Sequence, residues 1–177
     1  MNFLIEDNNF FTEEEKNNYN DFKFYYKIPL YFQNRAGSYG NSPTLTHTLV
    51  DRLENTSDIP DRSCSDVNNI LFPILYKFTQ KHNLPFKRIL RGCINCTIPS
   101  GESMSEIHKD HLFDHYVFLM YINETFEGGK TFIYDDDKNI IKTIMPEAHK
   151  IVCFKGNYHS FEYPVKGMRF VVVYTFD

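Results

Sequence analysis

The sequence predicts a mainly β fold of sandwich or barrel type with supporting helices, and three observations carry that expectation. From residue 86 onward, short runs rich in β-branched and aromatic residues follow one another at 86–98, 116–122, 131–134, 140–144, 150–154, 160–165 and 170–176. Turn residues separate them, among them Glu127-Gly128-Gly129, Asp135-Asp136-Asp137 and Lys166-Gly167, and short strands at this rhythm belong to sandwiches and barrels. The 177 residues include 17 Phe and 12 Tyr, types that suit a pleated, half-buried surface. Strands do not alternate with helices, which argues against a parallel βαβ sheet.

The chain before residue 86 reads differently. Thr12 followed by Glu13-Glu14-Glu15 is a helix start: Thr12 caps, Glu15 stands three residues later as in a capping box, and the acids sit at the positive end of the helix dipole. The Asn-rich residues 17–20 keep that helix short. Residues 22–32 are aromatic and β-prone, and Pro29 predicts an edge or irregular strand. Residues 33–60 shift to Asn, Gly, Ser, Thr, Asp and Pro and read mostly as loop, with a strand or short helix inside at 46–53. A connection of that length is a lid, a binding loop or disordered; Arg35 and Tyr39 are its candidate substrate contacts, and His47, alone there, reads as a surface residue. Residues 65–82 form the clearest helix. Ser65 or Asp66 caps it, and Val67, Ile70, Leu71, Ile74, Leu75 and Phe78 share one face. Pro73 predicts a kink. The apolar stripe reads as core, which puts this helix on the outside of a sheet.

Composition excludes several functions. A formal charge of -4 and a pI near 6.0 give no general attraction to nucleic acid or anionic membranes. The basic residues Lys81, Lys87, Arg88 and Arg91 read as a helix C-terminus followed by a strand's solvent face, since a nucleic-acid groove needs more clustered charge. Glu6 and Asp7 come too early for a signal peptide, and no apolar run approaches the roughly 18 residues of a membrane span. A cytoplasmic protein without a membrane partner is expected. Of the four cysteines, Cys93 and Cys96 form a C-x-x-C inside a strand-like run. They would face opposite sides, and no second pair completes a zinc site, so buried structural thiols are expected.

Chemistry concentrates in Ile107-His108-Lys109-Asp110. In extended chain, residues i and i+2 point to the same side, so His108 and Asp110 both reach one ion. The best third ligand is His159, placed just before another strand-like run. Two histidines and a carboxylate leave three positions of an octahedral ion open, the arrangement of non-haem Fe(II) oxygenases. A rival set, His111 with His115, is four residues apart but lacks the Glu of a helical H-E-x-x-H zinc motif.

The company of these residues strengthens the first set. After His108-x-Asp110 come Tyr121-Ile122-Asn123, then Gly128-Gly129-Lys130-Thr131, then His159, and Arg169 ten residues beyond. In that order over residues 89–176 the sequence resembles the Fe(II)/2-oxoglutarate-dependent oxygenases, specifically the prolyl-4-hydroxylase-like branch and its small phage-type members. The resemblance implies a double-stranded β-helix (a jelly roll, cupin-like) with helices on one side. It implies a single domain over 1–177, in which 1–85 supports a core at 86–177. It implies iron held by His108, Asp110 and His159, and 2-oxoglutarate whose far carboxylate pairs with Arg169 and Tyr121, with Thr131 lining the same place. Many relatives carry a tyrosine about ten residues before the metal histidine; Ile98 stands there, and Asn95 or Thr97 is the polar alternative on that strand. The implied reaction uses O2 and 2-oxoglutarate, releases succinate and CO2, and hydroxylates a substrate. Relatives act on protein side chains, nucleobases and small metabolites, and a peptide residue such as proline is the first expectation. The alternative is a jelly-roll module that binds metal or 2-oxoglutarate without turnover.

Overall fold

All eight residues of strand β10 (Arg169–Phe176) are buried, because both of its faces are covered. Successive side chains on a strand point to opposite sides. Phe170, Val172, Tyr174 and Phe176 join one apolar cluster on the helix side, while Val171 and Val173 join a second cluster inside the barrel. The same alternation splits β4 (Ile89–Thr97), so that Cys96 packs in the first core and Cys93 in the second. The two thiols of the C-x-x-C are therefore on opposite faces and unpaired. Burial pushes Cys96 up to about 11, which leaves it an inert apolar group.

The computed structural model describes residues 3–21, 27–33, 43–53, 62–123 and 127–177. The remaining elements are β1 (Leu4–Asp7), α1 (Glu13–Asp21), β2 (Tyr31–Gln33), β3 (Thr44–Val50), α2 (Asn68–Lys81), β5 (Tyr116–Tyr121), β6 (Thr131–Tyr134), β7 (Ile140–Ile144), β8 (Ile151–Lys155) and β9 (His159–Phe161). Seven strands form one sheet in the order β1-β8-β5-β10-β4-β3-β2, and three form a second in the order β7-β6-β9. Every pairing is antiparallel. The second core lies between the two sheets; the first lies between the large sheet and the helices.

Helix α1 starts as expected. The Glu15 backbone N–H donates to Thr12 Oγ1 at 3.2 Å, and the Thr12 N–H donates to Glu15 Oε2 at 2.8 Å, a reciprocal capping box. Helix α2 lays Leu71, Ile74, Leu75 and Phe78 onto the large sheet. Its start is drawn out: Ser65 Oγ accepts from the Val67 N–H at 3.2 Å, and a turn through Asn68 N–H to Ser65 O and Asn69 N–H to Asp66 O leads in, so that Val67, without a side-chain cap bond of its own, stands at the helix boundary. Pro73 sits in the second turn of a helix that is continuous through it. No helix among the described residues is long and apolar enough to cross a membrane.

The segment read as loop needs the largest correction. Residues 44–50 form β3, paired with β4 and largely buried. Its threonines satisfied the composition of a loop, yet Thr44 and Thr46 face inward, and the Thr46 hydroxyl lies 2.9 Å from Asn95 Oδ1. His47 is also no surface residue. It is buried, with Nδ1 at 2.8 Å from Pro29 O and Nε2 at 2.8 Å from Ser65 Oγ, so it ties β3 to the chain on both sides. Edge strand β2 agrees with the reading of Pro29, while Arg35 and Tyr39 lie outside the described residues. The strand expected over 86–98 begins only at Ile89, and the one expected over 160–165 ends at Phe161.

Candidate metal centre and adjoining cavity

His108 and His159 face each other across an isolated β-bridge. The His108 N–H donates to His159 O at 3.0 Å and the His159 N–H to His108 O at 2.9 Å. This bridge joins the segment after β4 to β9 and brings the two rings to 4.5 Å between centroids. Each Nδ1 sits beside the carbonyl two residues earlier, Glu106 O at 3.0 Å and Asn157 O at 3.1 Å. A carbonyl only accepts, so each Nδ1 carries the hydrogen and each Nε2 keeps a lone pair for a cation. The backbone thereby sets both tautomers, the usual device for a metal-ligating histidine.

Asp110 completes the group. Its side chain is 4% exposed and that of His159 is 12% exposed, with Oδ2 3.5 Å from His159 Nε2. That separation is too long for a good hydrogen bond, and Oδ2 has no hydrogen-bond partner among the described residues. One ligand atom from each of His108, Asp110 and His159 lies within 4.8 Å of the others, the one such group among the described residues. An orphaned buried carboxylate oxygen beside two lone-pair nitrogens fits a divalent ion, and the N,N,O donor set suits Fe(II). Burial pushes the His159 imidazole down to about 4, with His108 adding to it and Asp110 opposing. It is therefore neutral, the ligating form, at neutral pH. Burial alone would raise the Asp110 carboxyl; its attraction to the neighbouring His159 and His108 imidazoles and the Arg91 and Arg52 guanidiniums outweighs that and holds the group below the ordinary carboxylate range. Lys109, between the ligands, turns away to Asp136 at 3.1 Å and over the Tyr158 ring.

The three ligands line a cavity of about 420 Å³ that also reaches Arg169, Thr131, Asn95 and Thr97. Arg169 is 2% exposed. It donates through Nε to Gly129 O and through one amino group to Thr131 Oγ1, each at 2.8 Å, and the Tyr121 hydroxyl lies 2.7 Å from the same Thr131 oxygen. Gly128 and Gly129 have φ of +77° and +79°, a region open to glycine; a Cβ on Gly128 would stand 2.5 Å from Tyr163 O. The pair bends the chain so that the Gly129 carbonyl meets the guanidinium. The rings of Tyr121 and Phe161 lie 5.3 Å from it. Among the described residues no carboxylate pairs with this buried cation.

No family model matches the sequence, and no curated protein proves similar to it. Solved structures do match. Over 98% of its length the chain resembles an oxidoreductase of the 2OG-Fe(II) oxygenase family from Burkholderia pseudomallei, covering 84% of that chain, with a TM-score of 0.76 and 11% identity. A prolyl-4-hydroxylase from Pseudomonas putida matches over 99% of this chain and 92% of its own, at TM-score 0.63 and 13% identity. A prolyl hydroxylase from Trichoplax adhaerens, in complex with a hypoxia inducible factor peptide fragment, matches over 98% and 83%, at 0.63 and 14%. The chain has the 2OG-Fe(II) oxygenase fold. At such identities the likeness is one of architecture, a double-stranded β-helix.

Within that oxygenase fold the residues expected to hold metal and cosubstrate come together: His108, Asp110, His159, Arg169, Thr131 and Asn95 line one cavity, and Tyr121 joins them through its bond to Thr131. The rival His111 and His115 are not a metal pair. Both are buried, His111 Nε2 lies 2.8 Å from Thr175 Oγ1 and His115 Nδ1 2.7 Å from Phe113 O, and no third ligand joins them among the described residues. Two participants were missed, Arg91 and Arg52. Arg91, read as part of a strand's solvent face, points into the barrel and donates to Asp110 Oδ1 at 3.0 Å. Arg52 donates to the Asp110 main-chain carbonyl at 2.8 Å. Thr97, directly across from Arg169, buries a hydroxyl that has no partner among the described residues. Arg91 was findable, because it stands an even number of residues from Asn95 and Thr97 on one strand. Nothing in the sequence marks Arg52.

Proposed function

We propose that the chain is an Fe(II)- and 2-oxoglutarate-dependent oxygenase that hydroxylates its substrate. One observation carries it: a single cavity has a His-Asp-His group with an orphaned carboxylate oxygen at one end and a buried guanidinium without a carboxylate at the other. His108 and His159 would hold iron through Nε2 and Asp110 through Oδ2. Arg169 would take the far carboxylate of 2-oxoglutarate, since its forked donors suit two oxygens, with the hydroxyls of Tyr121, Thr131 and Thr97 completing the contacts and Asn95 lining the wall. With O2, the bound iron and 2-oxoglutarate supply an oxidative decarboxylation that yields succinate and CO2 and places one oxygen atom in a substrate C–H bond. The chain's own part is positioning and exclusion of water: Val117, Leu119, Val171 and Val173 form the apolar wall between the two ends.

A peptide residue such as proline is the favoured substrate, supported by two similar structures being prolyl hydroxylases, one of them with a bound peptide. Residues 1–177 act as one unit, 86–177 carrying the site and 1–85 supporting it. The test is iron-dependent release of succinate from 2-oxoglutarate. Asp110→Ala and His159→Ala should each lower it more than about a hundredfold, the upper end of what removing a group that only orients a ligand does. Robust turnover by either variant rejects the assignment. Binding of 2-oxoglutarate without consumption across a broad peptide panel would instead mark a module without turnover.

A further inference from the structure

The inward face of β4 carries Arg91, Cys93, Asn95 and Thr97 in succession. Arg91 reaches the metal end from this rigid strand, and its side chain is 20% exposed against 4% for Asp110. Of the two Asp110 oxygens it contacts Oδ1, at 3.0 Å, while Oδ2 has no hydrogen-bond partner among the described residues and faces His159. Arg52 holds the same residue by its main-chain carbonyl. Asp110 is thus pinned at backbone and side chain by two guanidiniums from different elements.

A carboxylate has two equivalent oxygens and can chelate a cation with both or bind with one. With one, the three protein ligands leave three positions of an octahedral ion open; with both, only two remain. A chelating cosubstrate and O2 together need three. Resting on the iron reading above, we propose that Arg91 is the positioning residue that reserves Oδ1 and so holds Asp110 to single-oxygen ligation through Oδ2. Affinity does not separate this role from electrostatics: removing a nearby positive charge should by Coulomb's law tighten the binding of a cation, and so should a freed Oδ1. The number of ligand atoms on the ion does separate them.

Co(II) is the probe, because its visible absorption reports ligand number and geometry. Full-length metal-free protein is titrated with Co(II) without 2-oxoglutarate, following affinity and band shape. Arg91→Met, similar in reach and without donors, should shift the absorption bands as Oδ1 joins the ion, without weakening Co(II) binding. Arg91→Lys keeps the charge and one donor and should recover part of the wild-type spectrum. Should Arg91→Met not fold, judged by the metal-free melting curve, Arg91→Gln carries the same test with a shift between those of Lys and Met. A wild-type spectrum for Arg91→Met or, in its place, Arg91→Gln overturns the proposal at any affinity, and so does weaker binding, which would mean that Oδ1 is not gained. A wild-type protein that binds no Co(II), or an Asp110→Ala variant that binds it equally well, overturns the iron reading itself, whatever Arg91 does.

Discussion

Thr131 has one hydroxyl and two buried neighbours that use it, the Arg169 guanidinium and the Tyr121 phenol. Replacing it with the isosteric valine leaves both without that partner, and an unsatisfied buried polar group costs about 1–3 kcal/mol. Thr131→Val should therefore weaken 2-oxoglutarate binding roughly tenfold, about 1.4 kcal/mol, with Co(II) affinity at His108, Asp110 and His159 unchanged. Calorimetric titration of each ligand checks this, and a uniform loss of both would mean general damage instead. Arg169 was singled out because it stands ten residues beyond His159, and Tyr121 and Thr131 because they follow His108-x-Asp110 in the order the oxygenase resemblance implies. Arg91 was misassigned because a charged residue on a strand suggests solvent; only the barrel shows that its side of the strand is the inner one.

At the scale of elements, β4 and β10 show where patterning helps and where it fails. Both faces of β10 are covered, so 170–174 reads as an unbroken apolar run rather than an alternation, and sequence could place the strand but not its faces. Gly92 stands opposite Tyr174 in the register. A Cβ there would stand 2.6 Å from Cε1 of the Tyr174 ring, and that ring is fully buried with its hydroxyl donating to Asn68 Oδ1 at 2.8 Å. The glycine lets the ring cross the sheet and reach the start of α2. Gly92→Ala should lower stability by about 1–3 kcal/mol, as overpacking does, or several degrees in thermal melting for a chain of this size. An unchanged melting temperature would show that the ring moves aside freely. Strand β3, expected only as a strand or short helix at 46–53, hid its burial for the opposite reason: Thr44, Thr46 and His47 are polar, and their burial is made tolerable by partners far away in sequence, Cys96, Asn95, Pro29 and Ser65.

Across the whole molecule, the two ends of the supporting layer are tied by Asp7. This buried carboxylate in β1 accepts from Lys81 Nζ at 2.7 Å and lies 2.9 Å from His82 Nε2, both at the C-terminal end of α2. Burial alone would raise its pKa; the bonds to Lys81 and His82 outweigh that and lower it. A carboxylate with a lowered folded-state pKa contributes stability that is complete above its unfolded value and is lost as pH falls through the folded one. The wild-type protein should therefore lose stability below about pH 4 more steeply than Asp7→Asn. At neutral pH that variant should be less stable by about 1–2 kcal/mol, the lower part of the range for charged hydrogen bonds because Lys81 is partly solvated. Chemical denaturation from pH 3 to 7 measures both, and parallel profiles would remove Asp7 from the account.

The sequence by itself determined the β-rich class, the capping box of α1, the apolar face of α2 and the identity of the metal-type group. Those depend on local periodicity and on residue types whose spacing survives in one dimension. Only the tertiary structure decided which oxygen of Asp110 is held and which is left, that Arg91 and Arg52 are the residues beside it, and that the strand-or-helix stretch after residue 43 is a strand and a buried one, β3. Each of these depends on which face of a strand is covered and on partners tens of residues away, and neither is written in the order of neighbours along the chain.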